Sequence, residues 1–192
     1  PPPPLLFCTQ KTPNDISLGL VGSEMFIRDS LLPIKIMPKD FHKALDGLAV
    51  PGRFELRTDL TTQKKVILDV AHNPAAAHLL SARVQQFRQV NSEIRQIIGV
   101  MAVMADKDIE GIAEALESCL DIWYIAEVEE PRSMPSGEAF RRIGQSQRKA
   151  RLAQFDSLEY AYKAACEIAA NKDLVVVTGS FYAVAAVRNL SQ

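Results

Sequence analysis

The chain has 192 residues, a formal net charge of −1 and 47% hydrophobic residues, which suits one α/β domain plus a short extra segment. No broad basic surface, membrane-length apolar run or secretory signal pattern is present, so we expect neither a nucleic-acid nor a membrane partner. The three cysteines, Cys8, Cys119 and Cys166, are too scattered for a metal site. They are typical of buried free thiols in a reducing compartment, which predicts a cytoplasmic protein.

The first 46 residues differ in character from the rest. Residues 1–30 open with four prolines and resemble translated sequencing-adapter sequence, which predicts a segment that is not native protein; a Pro-rich linker is the alternative. Residues 31–46 are interpreted as the tail of a preceding domain. The domain that carries the function is then predicted to span residues 47–192.

From residue 53 onward, short apolar runs alternate with segments rich in helix formers. This alternation predicts an α/β fold: a Rossmann-like, doubly wound, mainly parallel six-stranded sheet with helices on both faces. The expected strands lie near residues 53–58, 66–70, 95–103, 122–127, 151–155 and 174–178. The expected helices lie near residues 75–90, 108–120, 136–148, 158–171 and 181–190.

The junction after the second strand is the most informative stretch of the chain. An apolar run ends at Asp69, and His72, Asn73 and Pro74 follow within five residues. Proline fits the first position of a helix and Asn73 then falls on the N-cap. Because ligands collect at the carboxyl ends of parallel strands, Asp69 and His72 are expected at a ligand-binding edge.

Two later junctions repeat this plan. Lys107 follows the strand at 95–103 and is expected in the first turn of the next helix, which Asp106 or Asp108 would cap. The last strand is followed by Gly179, which permits close backbone approach, and by Ser180, a helix N-cap. Asp69, His72, Lys107 and Ser180 are therefore predicted to face one crevice.

Six segments in order carry a resemblance to a known family. They are LAVPGRFE (48–55), ILDVAHNP (67–74), VMADKDI (103–109), DIWYIA (121–126), EPR (130–132) and VTGSFYAVA (177–185). Together they resemble the C-terminal domain of bacterial folylpolyglutamate synthase, often a bifunctional dihydrofolate synthase, within the Mur-type ATP-dependent amide ligases. The Gly-Ser-Phe-Tyr ending and the Trp123-Tyr124 strand favour the folate branch over the peptidoglycan branch.

The resemblance implies roles for the residues at these junctions. In such ligases ATP phosphorylates a carboxylate, and the amine of L-glutamate attacks the acyl phosphate to form an amide. Arg53 and Asp69 are implied to contact the phosphates and ribose of ATP, and His72 the γ-phosphate or the incoming glutamate. The predicted glutamate-binding residues are Asn73, Lys107 and Ser180, and the predicted catalytic residues are His72 and Lys107.

Each of these roles has a simpler structural alternative. Asp69 could cap its own turn, and Arg53 could be a surface arginine paired with Glu55. His72 could be a hydrogen-bonding structural residue and Lys107 a solvated lysine. Ser180, like Asn73, could be a plain N-cap, and capping does not exclude ligand contact.

Parts that an ATP-dependent ligase needs are missing from the sequence. No G-x-x-x-x-G-K-[ST] phosphate-binding loop occurs, since none of the nine glycines is followed by lysine. The resemblance implies that this loop, the Mg²⁺ ligands and the folate pocket belong to a preceding ATPase domain of the same polypeptide, so no metal ligand is assigned here. The chain is interpreted as half an enzyme, inactive alone.

Two other functions stay open at this point. One is a different Mur-type ligase that acts on a cell-wall precursor, and the other is a stand-alone module that binds a nucleotide or an amino acid. The basic run from Arg141 to Arg151 is interpreted as a solvated helix end, and His42 and His78 as surface residues. The Glu129 to Arg132 turn is given no role beyond a contact at the rim of the site.

Overall fold

The computed structural model describes residues 50–146 and 151–190. They belong to one compact unit that begins at Val50. Six strands and five helices occur in these residues: β1 (Glu55–Thr58), β2 (Lys65–Leu68), α1 (Pro74–Val90), β3 (Ile97–Met101), α2 (Ile109–Leu116), β4 (Ile122–Ile125), α3 (Ser136–Ser146), β5 (Arg151–Gln154), α4 (Leu158–Ile168), β6 (Leu174–Thr178) and α5 (Phe181–Leu190). The predictions for residues 1–30 and 31–46, including Cys8 and His42, lie outside the described residues.

The strands form one sheet in the order β1-β2-β6-β3-β4-β5. All neighbouring pairs are parallel except β1 and β2, which run antiparallel. Strands β3 and β6 are buried along their whole length, as expected of parallel strands covered on both faces. The prediction of a mainly parallel six-stranded sheet is confirmed.

Helices cover both faces of the sheet, as predicted. Helices α1, α2 and α3 pack on one face, where Leu80, Ile112 and Ile143 join a buried cluster with Trp123. Helices α4 and α5 pack on the other face in a second cluster. Since buried residues alternate along β6 between the two clusters, this strand lies at the centre of the fold.

Several element boundaries differ from those predicted. The helix expected at 108–120 ends at Leu116, because the backbone then tightens into turns such as the 3.0 Å bond from Cys119 N–H to Leu116 C=O. The helix expected at 158–171 ends at Ile168, since Ala169 is extended and Asp173 accepts from the N–H of Ala170. The strand expected at 95–103 is shorter at both ends. Apolar residues continue past Met101 and past Ile168, so composition does not mark these two ends.

Two further features concern the cysteines and the length and hydropathy of the helices. Cys119 and Cys166 are both free and buried, as predicted. Within the residues that the structure describes, no helix is long and apolar enough to cross a membrane.

Candidate functional site

Parallel strands bring the predicted site residues to one edge of the sheet. The segments that follow β2, β6, β3 and β4 are neighbours there, because these four strands are adjacent and point the same way. They surround a cleft of about 200 Å³, which we call the strand-end cleft. Its lining residues are His72, Met104, Lys107, Arg132, Ser180, Phe181 and Tyr182.

The turn between β2 and α1 has the local structure that its sequence predicts. Asn73 has extended backbone, and its side chain accepts a 2.9 Å hydrogen bond from the N–H of Ala76. Pro74 is the first helical residue, where its missing N–H costs nothing. Asn73 is exposed and is not a lining residue of the strand-end cleft, so its glutamate-binding role stays a prediction.

Asp69 faces the protein backbone. Its carboxylate accepts a 2.8 Å hydrogen bond from the N–H of Phe54 and a 2.9 Å bond from the N–H of Ala71, and the residue is only 7% exposed. Of the four residues predicted to face one crevice, Asp69 is therefore the exception, because burial turns its carboxylate to its own turn and to the Phe54 backbone. The turn-capping alternative is present in the structure, and contact with ribose stays a prediction.

The bond to Phe54 ties two distant segments together. Phe54 has a φ of 50°, a left-handed conformation that is uncommon for an aromatic residue. The preceding turn is closed by a 3.1 Å bond from Arg53 N–H to Val50 C=O, and Gly52 C=O accepts from Val70 N–H at 2.9 Å. Asp69 thus helps to fix the Pro-Gly-Arg turn against the end of β2.

Asp69→Asn is expected to lower the free energy of unfolding by about 1–3 kcal/mol. An amide group has one acceptor oxygen and presents N–H donors on its other side, so one of the two backbone N–H groups loses its partner. Urea unfolding followed by circular dichroism measures the loss. Asp156→Asn at an exposed position is the control, and equal stability of the two variants would contradict the prediction.

Arg53 does not pair with Glu55. The Glu55 carboxylate lies 3.7 Å from Arg57 Nε and 3.6 Å from Arg188 Nε, and it accepts from Gly52 N–H at 2.8 Å. The Arg53 guanidinium is exposed and lies 5.8 Å from the centre of the Phe181 ring. The guanidinium is therefore accessible from solvent, and its contact with the phosphates of ATP stays a prediction.

His72 is one of the residues that line the cleft. Its ring is 5.7 Å from that of Phe181, so Phe181 lies close to both His72 and Arg53. Among residues 50–146 and 151–190, its buried Nδ1 has no hydrogen-bond partner. The structural alternative for His72 required such a partner, whereas a ligand role does not.

Lys107 precedes the helix that it was expected to enter. Asp108 is the N-cap of α2 and accepts from Gly111 N–H at 2.9 Å, so Lys107 lies outside the first turn. Its ammonium is 2.8 Å from Asp106 Oδ2, and Nη2 of Arg132 is 3.1 Å from Oδ1 of the same carboxylate. The two candidate caps thus have separate roles: Asp108 caps the helix, and Asp106 binds two cations of the cleft.

The two cations hold the pKa of Asp106 at about 2, chiefly through the Lys107 hydrogen bond and then that of Arg132. A lowered pKa means that these ion pairs stabilise the fold above the ordinary value of 3.8 and lose their contribution as the pH falls to about 2. Carboxyl ¹³C NMR is expected to show this titration. Arg132→Gln should move it toward 3.8, and a wild-type midpoint near 3.8 would contradict the assignment.

Ser180 reaches the cleft from the end of β6. Its hydroxyl accepts a 3.0 Å hydrogen bond from Ala183 N–H at the start of α5, and the residue is 3% exposed. Gly179 before it has a φ of 104°. Capping is confirmed, and the hydroxyl hydrogen stays available to a ligand.

Four lining residues were not predicted as site residues: Met104, Arg132, Phe181 and Tyr182. Arg132 comes from the Glu-Pro-Arg turn, whose position after a fourth strand was the available signal. Phe181 is the first residue of α5 and is 60% exposed. The spacing of apolar residues in the sequence does not distinguish such an exposed residue from one in the core. The other secondary sites are structural: His78 is exposed as predicted, and Arg142 pairs with Glu110 and Glu138. Arg148 and Lys149 lie outside the described residues.

The sequence of this domain matches a known family. Residues 52–181, more than half of the chain, match the Mur ligase family, glutamate ligase domain. The chain belongs to this family. Three of its predicted site residues, His72, Lys107 and Ser180, line the cleft of the Mur ligase domain described above.

Relatives of this Mur ligase domain are folate enzymes. The dihydrofolate synthase/folylpolyglutamate synthase of Escherichia coli is 37% identical over 143 residues, which are 73% of this chain and 31% of that protein. The structure of E. coli FolC in complex with DHPP and ADP has a TM-score of 0.69 at 30% identity and covers 82% of this chain and 35% of its own. A bifunctional folylpolyglutamate synthase/dihydrofolate synthase with Mn, AMPPNP and L-glutamate bound has a TM-score of 0.65 at 32% identity and the same coverage. The chain spans about a third of the length of these relatives.

A divalent metal does not fit the described part of this Mur ligase domain. Residues 50–146 and 151–190 hold no group of three or more His, Cys, Asp or Glu side chains that could share a metal ion. The carboxylate of Asp69 is engaged by backbone N–H groups, and that of Asp106 by two cations. We therefore assign no metal ligand to these residues.

Proposed function

We propose that this chain is the C-terminal, glutamate-receiving domain of an ATP-dependent ligase that joins L-glutamate to dihydropteroate or folate through an acyl phosphate. The observation that carries the proposal is the strand-end cleft, where His72, Lys107 and Ser180 meet at the edge of the sheet. Family membership and the folate relatives support the same reaction class.

The cleft suits an amino acid with carboxylate groups. The Lys107 ammonium attracts a carboxylate, and the N-terminus of α5 at Ser180 adds backbone N–H groups and a favourable dipole. Holding glutamate there places its amine for attack on an acyl phosphate presented from the other domain. The cleft therefore binds and orients the nucleophile.

His72 is the proposed proton acceptor. Glutamate binds as an ammonium ion and attacks only after losing a proton, and an imidazole can take that proton near neutral pH. Its position on the cleft next to Phe181 keeps it within the same group of side chains as Lys107. Attack of the neutral amine then forms the amide bond and releases phosphate.

The nucleotide is proposed to lie beside the Pro-Gly-Arg turn. Arg53 has an exposed guanidinium that suits phosphate, and this group and His72 lie close to the same Phe181 ring. A carboxylate has about four acceptor sites, and Asp69 uses two of them for backbone N–H groups, so the proposed ribose contact would have to use the remaining two at its 7% exposed surface. ATP would then contact this domain from one side.

The remaining parts are proposed to come from a preceding ATPase domain of the same polypeptide. The sequence contains no phosphate-binding loop, the described residues hold no group of three or more side chains that could share a metal ion, and the chain spans about a third of the length of its relatives. That domain would supply the phosphate loop, the Mg²⁺ ligands and the folate pocket. The free, buried thiols of Cys119 and Cys166 suit a reducing compartment, and we place the enzyme in the cytoplasm.

A graft onto a complete relative tests this proposal. Residues 50–190 replace the matching C-terminal part of the E. coli relative, and ADP release is measured with ATP, folate substrate and L-glutamate. We expect glutamate-dependent ADP release from the graft, none from the 192-residue chain, and loss of turnover on His72→Ala in the graft.

Other outcomes point to the alternatives. Glutamate-dependent ADP release by the 192-residue chain alone would contradict the half-enzyme proposal. A folded graft that uses another amino acid or a cell-wall precursor would favour a different Mur-type ligase. Tight binding of nucleotide or amino acid by the chain, without turnover in the graft, would favour a stand-alone binding module.

A further inference from the structure

Two cationic side chains of the strand-end cleft meet at one carboxylate. The Lys107 ammonium lies 2.8 Å from one oxygen of Asp106, and Nη2 of Arg132 lies 3.1 Å from the other. Lys107 and Arg132 line the cleft, whereas Asp106 does not. Asp106 therefore fixes the two cations from outside the cleft, and the three charges together leave one net positive charge.

Arg132 retains unused hydrogen-bonding capacity. A guanidinium has five N–H donors, and Arg132 gives one of them to Asp106. Its side chain is 71% exposed, so the other donors are accessible to a ligand. The planar fork of arginine matches a carboxylate with two parallel hydrogen bonds, and none of the other lining residues is an arginine.

Strand order assigns the two cations to different carboxylates. Moving along the sheet, the cleft residues follow β2 (His72), β6 (Ser180), β3 (Lys107) and β4 (Arg132). If His72 accepts the proton of the amine, the amine lies beside His72. The α-carboxylate, which is attached to the same carbon as the amine, then lies nearer to Lys107 than to Arg132. The side-chain carboxylate of an acidic amino acid then extends toward β4.

We propose that Arg132 binds the side-chain carboxylate of the amino-acid substrate and thereby selects glutamate over glutamine. The inference rests on the proposed function, because it takes the strand-end cleft as the amino-acid site. An amide in place of the carboxylate removes the charge and presents N–H donors to the guanidinium. A site built for a hydrogen-bonding group rejects an analogue that leaves its polar groups unpaired.

Amide chemical shifts of the full 192-residue chain provide the test. The chain is titrated with L-glutamate and with L-glutamine, and the shifts of Lys107 and Ser180 report binding even when it is weak. Wild type is expected to bind glutamate about tenfold or more tightly than glutamine. Arg132→Gln should weaken glutamate binding by a similar factor and leave glutamine binding unchanged. Arg141→Gln, at another exposed arginine on α3 outside the cleft, is the matched control and should behave like wild type.

Each of the other outcomes contradicts either the role of Arg132 or the amino-acid site itself. If wild type binds glutamate and Lys107→Gln weakens it, but Arg132→Gln keeps the preference for glutamate, the Arg132 inference is wrong and the proposed function stands. Equal loss of both ligands in Arg132→Gln also overturns selection by Arg132. If neither amino acid shifts the cleft residues up to its solubility limit, the amino-acid site itself is wrong, and the inference fails with it.

Discussion

Gly179→Ala is expected to lower the free energy of unfolding by about 2–4 kcal/mol, because the added methyl group would meet backbone that cannot move aside and the residue would have a strained φ. A Cβ at position 179 would lie 2.7 Å from the backbone oxygen of Ala102 and 2.9 Å from the Val103 side chain. The φ of 104° adds strain, since side-chain-bearing residues rarely adopt it. Backbone at Ala102 cannot move aside without disturbing the pairing of β3 with β6.

A second glycine provides the control with the opposite sign. Gly144 lies in α3, and a Cβ there would meet nothing within 4 Å. Gly144→Ala should therefore stabilise the chain by about 0.5–1 kcal/mol, because alanine is the better helix former. Urea unfolding of both variants measures the contrast. If the Gly179→Ala chain were as stable as wild type, the prediction would be wrong. The ends of β3 and β6 would then have to move apart at little cost to admit the methyl group.

Gly179 also affects the candidate site, because it directly precedes Ser180, which lines the strand-end cleft. The backbone of Gly179 lies close to that of Ala102, whose N–H donates a 3.3 Å hydrogen bond to Thr178 C=O, and this contact joins the ends of β6 and β3. Lys107 follows β3 and Ser180 follows β6, so the distance between these two predicted glutamate-binding residues depends on that contact. A Gly179→Ala variant that still folds is expected to lose glutamate-dependent turnover in the grafted enzyme.

Local sequence was sufficient to predict the junctions of the site. Asn73 and Pro74 start α1, Gly179 and Ser180 lead into α5, and both helices begin where the sequence places them. These features depend on neighbours three or four residues away: a cap, a fixed φ or a missing Cβ. Parallel strand runs then bring the junctions to one edge, so the grouping of His72, Lys107 and Ser180 was predictable as well.

Contacts between distant segments were not predictable in the same way. Asp69 binds the backbone of Phe54, 15 residues earlier, and Arg132 binds Asp106, 26 residues earlier. Glu55 pairs with Arg188 across the domain instead of with Arg53, its near neighbour. Each pairing depends on how distant segments pack in the fold, which no hydrophobic period and no local propensity of the sequence indicates. The backbone contacts of Asp69 and the ion pair of Arg132 were therefore not predicted, whereas the ribose contact of Asp69 stays a prediction.

The same reasoning separates the two aspartates next to Lys107. Either could cap α2 by position alone, since both precede an apolar helix within three residues. The helix start at Ile109 puts Asp108 on the cap, and Asp106 is then free to point toward Arg132 on the neighbouring strand end. A shift of two residues in the helix start would put Asp106 on the cap instead, and sequence patterns locate helix ends no more sharply than that.

Lys107→Gln in the grafted two-domain enzyme is expected to raise the KM for L-glutamate about 10- to 100-fold and to change kcat much less. The ammonium binds a carboxylate that does not react, so it contributes equally to the bound substrate and to the transition state. Loss of one charge-assisted hydrogen bond costs about 1.5–3 kcal/mol, which accounts for a change of this size. Steady-state ADP release over a range of glutamate concentrations measures it.

Folding does not confound this experiment. Lys107 pairs with a half-exposed carboxylate that also binds Arg132, and an exposed pair of this kind contributes only about 0–1 kcal/mol. Lys163→Gln is the matched control, because Lys163 forms a comparable 2.6 Å pair with Glu159 on α4, away from the cleft. An unchanged KM in Lys107→Gln would remove Lys107 from the glutamate site. A fall in kcat with no rise in KM would instead place its charge at the reacting centre, and the α-carboxylate would then have to be held by the N-terminus of α5 at Ser180.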